Sequence, residues 1–148
     1  MNIRLAEERD APALVEFNQA MALETEGKRL DAQILKSGVE AVFRDQTKGF
    51  YVVAEKDGRI AGGLMVTFEW SDWRDRWFWL VQSVYILPDF RGRGIYRLLY
   101  DFVREKARAR QDVAGFRLYV ERDNESARRV YQKLGMEKSH YLMYEEML

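Results

Sequence analysis

The sequence contains no cysteine, and it contains a single histidine, His140. Without cysteine the chain cannot form a disulfide bond, a thiolate metal site or a covalent intermediate on a thiol. One histidine cannot build a histidine-rich metal site either. We therefore expect no resident metal, and any catalysis must rest on other side chains or on the backbone.

A net charge of one sign is also missing, because 24 lysines and arginines balance 24 aspartates and glutamates. Such a chain has no general electrostatic attraction to nucleic acid or to anionic lipid, so neither is expected as a partner. The longest apolar segment, 77–87, is interrupted by Gln82 and Ser83 and is too short to span a bilayer. The N-terminal residues turn charged within a few positions, unlike a signal peptide. These absences predict a soluble, cytoplasmic protein.

Linkers and internal repeats are lacking too, which indicates one domain over residues 1–148. The hydrophobic fraction of 47% and the aromatic fraction of 14% are typical of a globular chain. Hydrophobic periodicity predicts a short first strand, two helices with Asp10 and Asp31 as N-caps, and a hairpin closed by Asp57-Gly58. It then predicts a long strand at 77–86, a helix at 95–109, a strand at 116–120, a helix capped by Asn124, and a last strand at 139–147.

The strand predicted at 77–86 is apolar on both faces. Trp77 and Trp79 point to one face, and Phe78 and Leu80 point to the other. Such a strand lies inside a sheet that has helices on both sides. The strand, helix and strand that start here predict a parallel βαβ crossover at the centre of a sheet otherwise made of hairpins. The predicted fold class is therefore α/β, with a mixed, mostly antiparallel sheet.

A glycine-rich turn, Arg91-Gly92-Arg93-Gly94, connects the long strand to the next helix. Backbone N–H groups in such a turn, together with the free donors of the helix N-terminus, form a concave anion site. The glycines permit close approach of a phosphate, and the arginines add charge-assisted hydrogen bonds. The turn predicts a phosphate or diphosphate cradle. It is not a P-loop, and it lacks the third glycine of the dinucleotide fingerprint.

Two motifs resemble the GNAT superfamily of N-acetyltransferases. The segment Arg91-Gly92-Arg93-Gly94-Ile95-Tyr96 is similar to its coenzyme A loop, Q/R-x-x-G-x-G/A, except that Tyr96 replaces the final small residue. The second motif, usually N-x-x-A-x-x-x-Y-x-x-x-G-F, is resembled by Asn124, Ala127, Tyr131 and Gly135, with Met136 in place of the final phenylalanine. The predicted order of helices and strands fits the same superfamily over nearly the whole chain.

The resemblance implies that acetyl-CoA is the co-substrate and that its diphosphate lies on residues 91–96. The pantetheine arm would lie against Val84, Tyr85 and Ile86 and near Asn124. A backbone N–H near Val84 or Tyr85 would donate to the thioester carbonyl oxygen. Tyr131 would be the general acid that protonates the departing thiolate, and an amine would attack directly. We therefore expect an N-acetyltransferase that acts on a small amine or a peptide amine.

The general base is the open part of this interpretation. Glu24 and Glu69 are the catalytic candidates, and Glu26 and Asp72 lie beside them in the sequence. Together these acids would line a pocket that attracts a cationic amine. Each is also explained as a solvated surface acid. His140 is expected at a strand edge.

Other residues also keep two interpretations at this stage. Tyr131 could pack its ring in the core, and Asn124 could serve only as a helix N-cap. Trp77 and Trp79 are expected in the core, whereas Trp70 and Trp73 could line the acceptor pocket, hold a cation or lie in a homodimer interface. The alternative function is a non-catalytic, acyl-CoA-binding regulatory module.

Overall fold

The computed structural model describes all residues, 1–148. Five strands and four α-helices follow one another along the chain: β1 (Asn2–Leu5), α1 (Ala11–Glu26), α2 (Ala32–Arg44), β2 (Phe50–Lys56), β3 (Arg59–Ser71), β4 (Arg76–Ile86), α3 (Ile95–Arg110), β5 (Val113–Leu118) and α4 (Glu125–Lys133). Short 3₁₀ turns at Glu8–Asp10 and Pro88–Phe90 lead towards α1 and α3. No helix combines the length and the apolar composition that a bilayer crossing requires.

The five strands form one mixed sheet in the order β1-β2-β3-β4-β5. Neighbours from β1 to β4 are antiparallel, and β4 pairs with β5 in parallel. The predicted fold class is thereby confirmed, but the parallel pair lies at one edge of the sheet and not at its centre. The reason is that the predicted last strand at 139–147 was wrong. Those residues form neither strand nor helix, so β5 keeps a free edge.

Strand β5 begins and ends earlier than the predicted 116–120. Helix α3 ends at Arg110, and the C-cap residue Gln111 has a left-handed φ of 66°. The chain then turns at once, and the N–H of Trp77 donates to the carbonyl oxygen of Asp112 over 2.9 Å. Pairing with β4 therefore starts at Val113 and stops at Leu118.

Helices cover both faces of the sheet, as predicted. Helices α1 and α2 pack on one face, where Leu14, Phe17 and Val39 are buried. Helix α3 packs on the other face, with Leu99 and Val103 in the same core cluster as the indole of Trp79. We call these the α1–α2 face and the α3 face.

Of the helix N-caps and the hairpin turn predicted from local sequence, some are confirmed and one is wrong. Asp31 caps α2 by accepting hydrogen bonds from the N–H groups of Gln33 and Ile34, as predicted. The Asp57-Gly58 hairpin is also confirmed, since both residues have positive φ. Asp10 makes no cap bond to α1. Its carboxylate accepts instead from the N–H of Glu7 and from the guanidinium of Arg4, each over 2.7 Å.

Candidate functional site

A β-bulge divides strand β4 near its C-terminal end. Gln82 lies opposite Met65 of β3 and Tyr85 lies opposite Gly63, so Ser83 and Val84 together face one β3 residue. Ser83 has a φ of 53°, a left-handed value that is uncommon for residues other than glycine. The extra residue reverses the alternation of side chains beyond it. Tyr85 therefore packs on the α1–α2 face, although Trp79 and Val81 pack on the α3 face.

The bulge lies where β4 separates from its parallel neighbour. Pairing between β4 and β5 ends at Val81 and Leu118, yet β4 continues to Ile86. Ser83 and Val84 have no register partner on β3, because of the bulge, and none on β5, because the pairing has ended. A gap thus opens between the two strands beside Val84, Tyr85 and Ile86. Sequence reasoning missed Ser83, although the polar pair Gln82-Ser83 within an apolar strand was a signal for the bulge.

The turn after β4 presents a row of free backbone donors. None of the N–H groups from Gly92 to Arg97 donates to an acceptor in the protein, and the first helical bond runs from the Leu98 N–H to the Gly94 carbonyl oxygen. Gly92 and Gly94 both have a φ of 75°. A Cβ atom at either glycine would meet no heavy atom within 4 Å, so the space in front of the backbone is open. This arrangement can bind an anion such as a diphosphate.

Arg91 points away from this turn and towards the α1–α2 face. Its guanidinium donates to Glu24 over 2.9 Å and to the carbonyl oxygen of Ile86 over 2.9 Å. Glu24 also accepts a 2.9 Å hydrogen bond from the Tyr85 hydroxyl. The end of α1 is thereby tied both to β4 and to the glycine turn. Arg93 lies over the ring of Phe90, 5.5 Å from its centroid.

The second motif places Tyr131 against Tyr96, which packs on the α3 face. The ring of Tyr131 meets that of Tyr96 edge-on, with centroids 5.6 Å apart. Burial raises the pKa of Tyr131, so its phenol stays protonated at neutral pH. Asn124 is the N-cap of α4, because its side-chain oxygen accepts from the N–H of Ala127 over 3.2 Å.

The acids proposed as bases are not brought together. Glu69 pairs with Arg117 over 2.6 Å at the end of the β3–β4 hairpin. In register it lies opposite Phe78, whereas Glu24 bonds to Tyr85. Those two β4 positions are seven residues apart, or about 20 Å at the rise of a strand. One small amine cannot contact both acidic segments, contrary to the predicted common pocket.

The hairpin end has a cavity of its own, of about 300 Å³. Its walls include Glu69, Asp72, Trp70 and Trp73, and Trp73 is 86% exposed. Trp70 packs edge-on against Trp77. The core assignment of Trp77 and Trp79 is confirmed, since Trp79 is buried and Trp77 is partly buried against the same cluster. Glu26 pairs with Lys28 on the surface. His140 is exposed in the C-terminal segment, which forms no strand, so the expectation that it lies at a strand edge was wrong.

Comparison with models of protein families identifies the family of this chain. A model of the acetyltransferase (GNAT) family matches residues 9–136. The chain belongs to the GNAT family. A search of curated proteins finds no significant match.

Solved structures agree with this assignment. A possible acetyltransferase from Clostridium difficile 630 is 37% identical to this GNAT protein, with a TM-score of 0.92 over 99% of this chain and 97% of that chain. A ribosomal-protein-alanine N-acetyltransferase from Brucella melitensis biovar Abortus 2308 is 20% identical, with a TM-score of 0.79 over 99% and 98%. A transcriptional regulator from Bacillus halodurans C-125 is 23% identical, with a TM-score of 0.84 over 99% of both chains. The last two comparisons show the shared fold alone.

The GNAT family uses acetyl-CoA, and the residues present fit that group. The free N–H groups of residues 92–97 and the open space at Gly92 and Gly94 suit a diphosphate. The gap beside Val84 suits an extended arm, because the strand there has backbone without register partners.

Proposed function

We propose that this GNAT protein transfers the acetyl group of acetyl-CoA to a primary amine. The observation that carries the proposal is the row of free N–H groups from Gly92 to Arg97, which lies at the end of β4 where β4 leaves β5. These donors would hold the diphosphate. The pantetheine arm of acetyl-CoA would lie against Val84, Tyr85 and Ile86. When bound, acetyl-CoA supplies the acetyl group as a thioester.

The bulged part of β4 would polarise the acyl carbonyl. Val84 follows Ser83, whose left-handed backbone turns the strand away from its regular pairing. A backbone N–H at Val84 or Tyr85 would donate to the carbonyl oxygen as negative charge develops there. The fixed strand keeps this donor in place, so little reorganisation is needed during the reaction.

Tyr131 would deliver the proton that the leaving thiolate requires. Its pKa is raised because the phenol is partly buried, so almost every molecule carries this proton at neutral pH. The edge-on contact with Tyr96 restricts the ring. Tyr131 contacts Tyr96, which packs on the α3 face, across the sheet from Tyr85 and its hydrogen-bond partner Glu24.

The amine would therefore approach from the α1–α2 face. Glu24 is the candidate base that touches β4 beside the bulge, through the Tyr85 hydroxyl. Its carboxylate would attract a cationic amine and pass the amine proton to water. Glu69 lies too far along β4 to contact the same amine, so we assign it no catalytic part.

The test is a calorimetric titration of the protein with acetyl-CoA, followed by a screen of amines for thiol release. Gly94→Asp should weaken binding at least tenfold, because a carboxylate would stand in the anion cradle. Gly135→Asp is the matched control, since Gly135 has a φ of 92° and open space around it. It follows Leu134, whose carbonyl oxygen accepts a hydrogen bond from Arg104, ten residues beyond Gly94. Equal binding by both variants and the wild type would refute the coenzyme site.

A second candidate function is an acyl-CoA-binding module without catalysis. It is favoured by the fact that both candidate bases are ion-paired, Glu24 with Arg91 and Glu69 with Arg117. A module would bind acetyl-CoA on the same turn but would release no thiol with any amine. The amine screen therefore separates the two functions.

A further inference from the structure

Tyr96 stands in the first turn of α3, directly after the glycines of the glycine turn. Its hydroxyl oxygen is fully buried and has no hydrogen-bond partner in the protein. Burial, followed by the neighbouring phenols of Tyr131 and Tyr100, raises the pKa of Tyr96, so the phenol is a proton donor at any physiological pH. A buried hydroxyl without a partner lowers stability, because it has given up water and gained nothing. A side chain without the hydroxyl, phenylalanine, would avoid that cost.

The location of Tyr96 indicates what its partner is. Its ring lies between those of Tyr100, 6.1 Å away, and Tyr131, 5.6 Å away. Tyr100 in turn contacts Phe116 of β5. Helix α3 runs antiparallel to β5 in the crossover, so Tyr96, one turn before Tyr100, lies nearer the C-terminal end of β5. That end is where β5 leaves β4.

We propose that the Tyr96 hydroxyl is a coenzyme-binding group, which donates a hydrogen bond to an amide oxygen of the pantetheine arm. The inference rests on the proposed function and deepens it. Tyr96 lies between the diphosphate turn and the general acid Tyr131, as the arm must. An amide oxygen is a strong acceptor that an extended arm carries into an otherwise apolar gap. The bond would satisfy the unpaired phenol and fix the arm at the same time.

The experiment compares Tyr96→Phe with Tyr100→Phe. Tyr100 is the neighbouring tyrosine on the same helix, one turn further on, and Arg104 lies over its ring. Each variant is titrated by calorimetry with coenzyme A and with ADP, which keeps the diphosphate but has no arm. The thermal unfolding of each ligand-free variant is measured in parallel.

We expect Tyr96→Phe to weaken coenzyme A binding but to raise the stability of the free protein. Tyr96→Phe should weaken coenzyme A binding about fivefold to tenfold, the effect of one lost hydrogen bond that leaves its acceptor unpaired. It should leave ADP binding unchanged. It should also raise the melting temperature of the free protein by about 2 °C, because the buried unpaired hydroxyl is gone. Tyr100→Phe should bind both ligands as the wild type does.

Three results would overturn the inference. Unchanged coenzyme A binding by Tyr96→Phe would show that the hydroxyl meets no part of the ligand. An equal loss for coenzyme A and ADP, with a lower melting temperature, would show a structural role at the turn. A wild-type protein that fails to bind coenzyme A would refute the proposed function itself, and that result is distinguishable from the first two.

Discussion

The phenol of Tyr131 combines two properties that a proton donor to a thiolate needs. It retains its proton, since burial raises its pKa above the ordinary value of 10.0. It is also held by contact with the ring of Tyr96. Neither property requires a charged neighbour. The chain has no cysteine, and its only histidine lies in an exposed segment, so neither residue type is needed to assist Tyr131.

We predict that Tyr131→Phe lowers kcat about 100-fold, the lower range for loss of a general acid, while the dissociation constant for coenzyme A stays the same. Stopped-flow detection of thiol release and calorimetry measure the two quantities. Tyr144→Phe is the control, because Tyr144 is 89% exposed in the C-terminal segment. In the wild type, the raised pKa of Tyr131 should keep its proton in place through the neutral and mildly alkaline range, so turnover should not fall there through loss of this proton. Undiminished kcat in Tyr131→Phe would show that water supplies the proton.

Glu24 has a second effect that its sequence position does not reveal. Its ion pair with Arg91 holds a cation of the glycine turn away from the anion cradle. Both side chains are almost half exposed, so the pair is worth less than about 1 kcal/mol. We predict that Glu24→Gln tightens coenzyme A binding about threefold and raises the KM of a cationic amine.

Glu26→Gln is the matched control for Glu24→Gln, because Glu26 pairs only with Lys28 on the surface. It should change neither quantity. Weaker coenzyme A binding by Glu24→Gln would contradict the prediction and would mean that Glu24 orients Arg91 productively. An unchanged amine KM would remove Glu24 from the acceptor site.

At the scale of strands and helices, β3 approaches the C-terminal end of β4 closely at Gly62. A Cβ atom on Gly62 of β3 would lie 2.8 Å from the backbone oxygen of Tyr85 and 2.6 Å from the Cδ1 atom of Ile86. No side chain larger than glycine fits there unless the bulged end of β4 moves. Gly62 thus sets the position of the strand that would line the coenzyme arm.

We predict that Gly62→Ala destabilises the protein by about 2 kcal/mol and weakens coenzyme A binding, because overpacking displaces Tyr85. Gly38→Ala is the control. Gly38 lies inside α2, and a Cβ atom there would meet no heavy atom within 4 Å, so this change should stabilise the protein by about 0.5–1 kcal/mol. Urea unfolding and calorimetry give both values. If Gly62→Ala had the same free energy of unfolding as the wild type, the prediction would be wrong, and the end of β4 could shift at no measurable cost.

Arg4, Asp10 and Glu55 join β1, the turn before α1 and β2. The guanidinium of Arg4 donates to both carboxylates, over 2.7 Å to Asp10 and 3.0 Å to Glu55. Burial alone would raise the pKa of Asp10, but hydrogen bonds from Arg4 and from the N–H of Glu7 outweigh it, and the pKa lies below its usual value. Asp10 is the only buried charged residue of the chain.

We predict that Asp10→Asn costs about 2 kcal/mol at neutral pH, because Arg4 loses its charged partner at 2.7 Å and keeps only Glu55. A carboxyl with a lowered folded-state pKa stabilises the protein fully above its unfolded pKa of about 4 and loses that contribution as pH falls through the folded value. The difference between Asp10→Asn and the wild type should therefore shrink below pH 4. Urea unfolding across pH measures it, with the exposed Asp57→Asn as control. A pH-independent difference would contradict the assignment.

The sequence was most informative where a local signal has a local cause. Asp31 caps a helix and Asp57-Gly58 closes a hairpin because each device needs only neighbouring residues. The polar pair Gln82-Ser83 marks an interruption of the apolar strand, but the bulge itself depends on the register with β3, which that pair does not specify. The glycine turn and Tyr131 became candidate site residues through the spacing of the two motifs. The partners of Glu24, which are 61 and 67 residues away, could not be placed in that way.

At the scale of the whole molecule, apolar surface is concentrated in the C-terminal segment. Residues 137–148 form no helix or strand, and their large apolar side chains are exposed: Tyr141, Leu142, Met143, Tyr144, Met147 and Leu148. On the sheet, β5 pairs with β4 on one side only, so its other edge offers free N–H and carbonyl groups. An open strand edge and a concentration of exposed apolar groups both favour association. A zero net charge gives no long-range repulsion between copies.

We predict that the protein is a dimer at micromolar concentration and that the C-terminal segment forms part of its interface. The double variant Leu142→Lys/Tyr144→Lys should sediment as a monomer, because two added charges per copy would have to be desolvated or brought together. Ile34→Lys is the control, since Ile34 is 73% exposed on α2, away from the segment. That variant should remain a dimer. Sedimentation velocity distinguishes the species, and a wild-type protein that sediments as a monomer over the whole micromolar range would show that the segment covers no second copy.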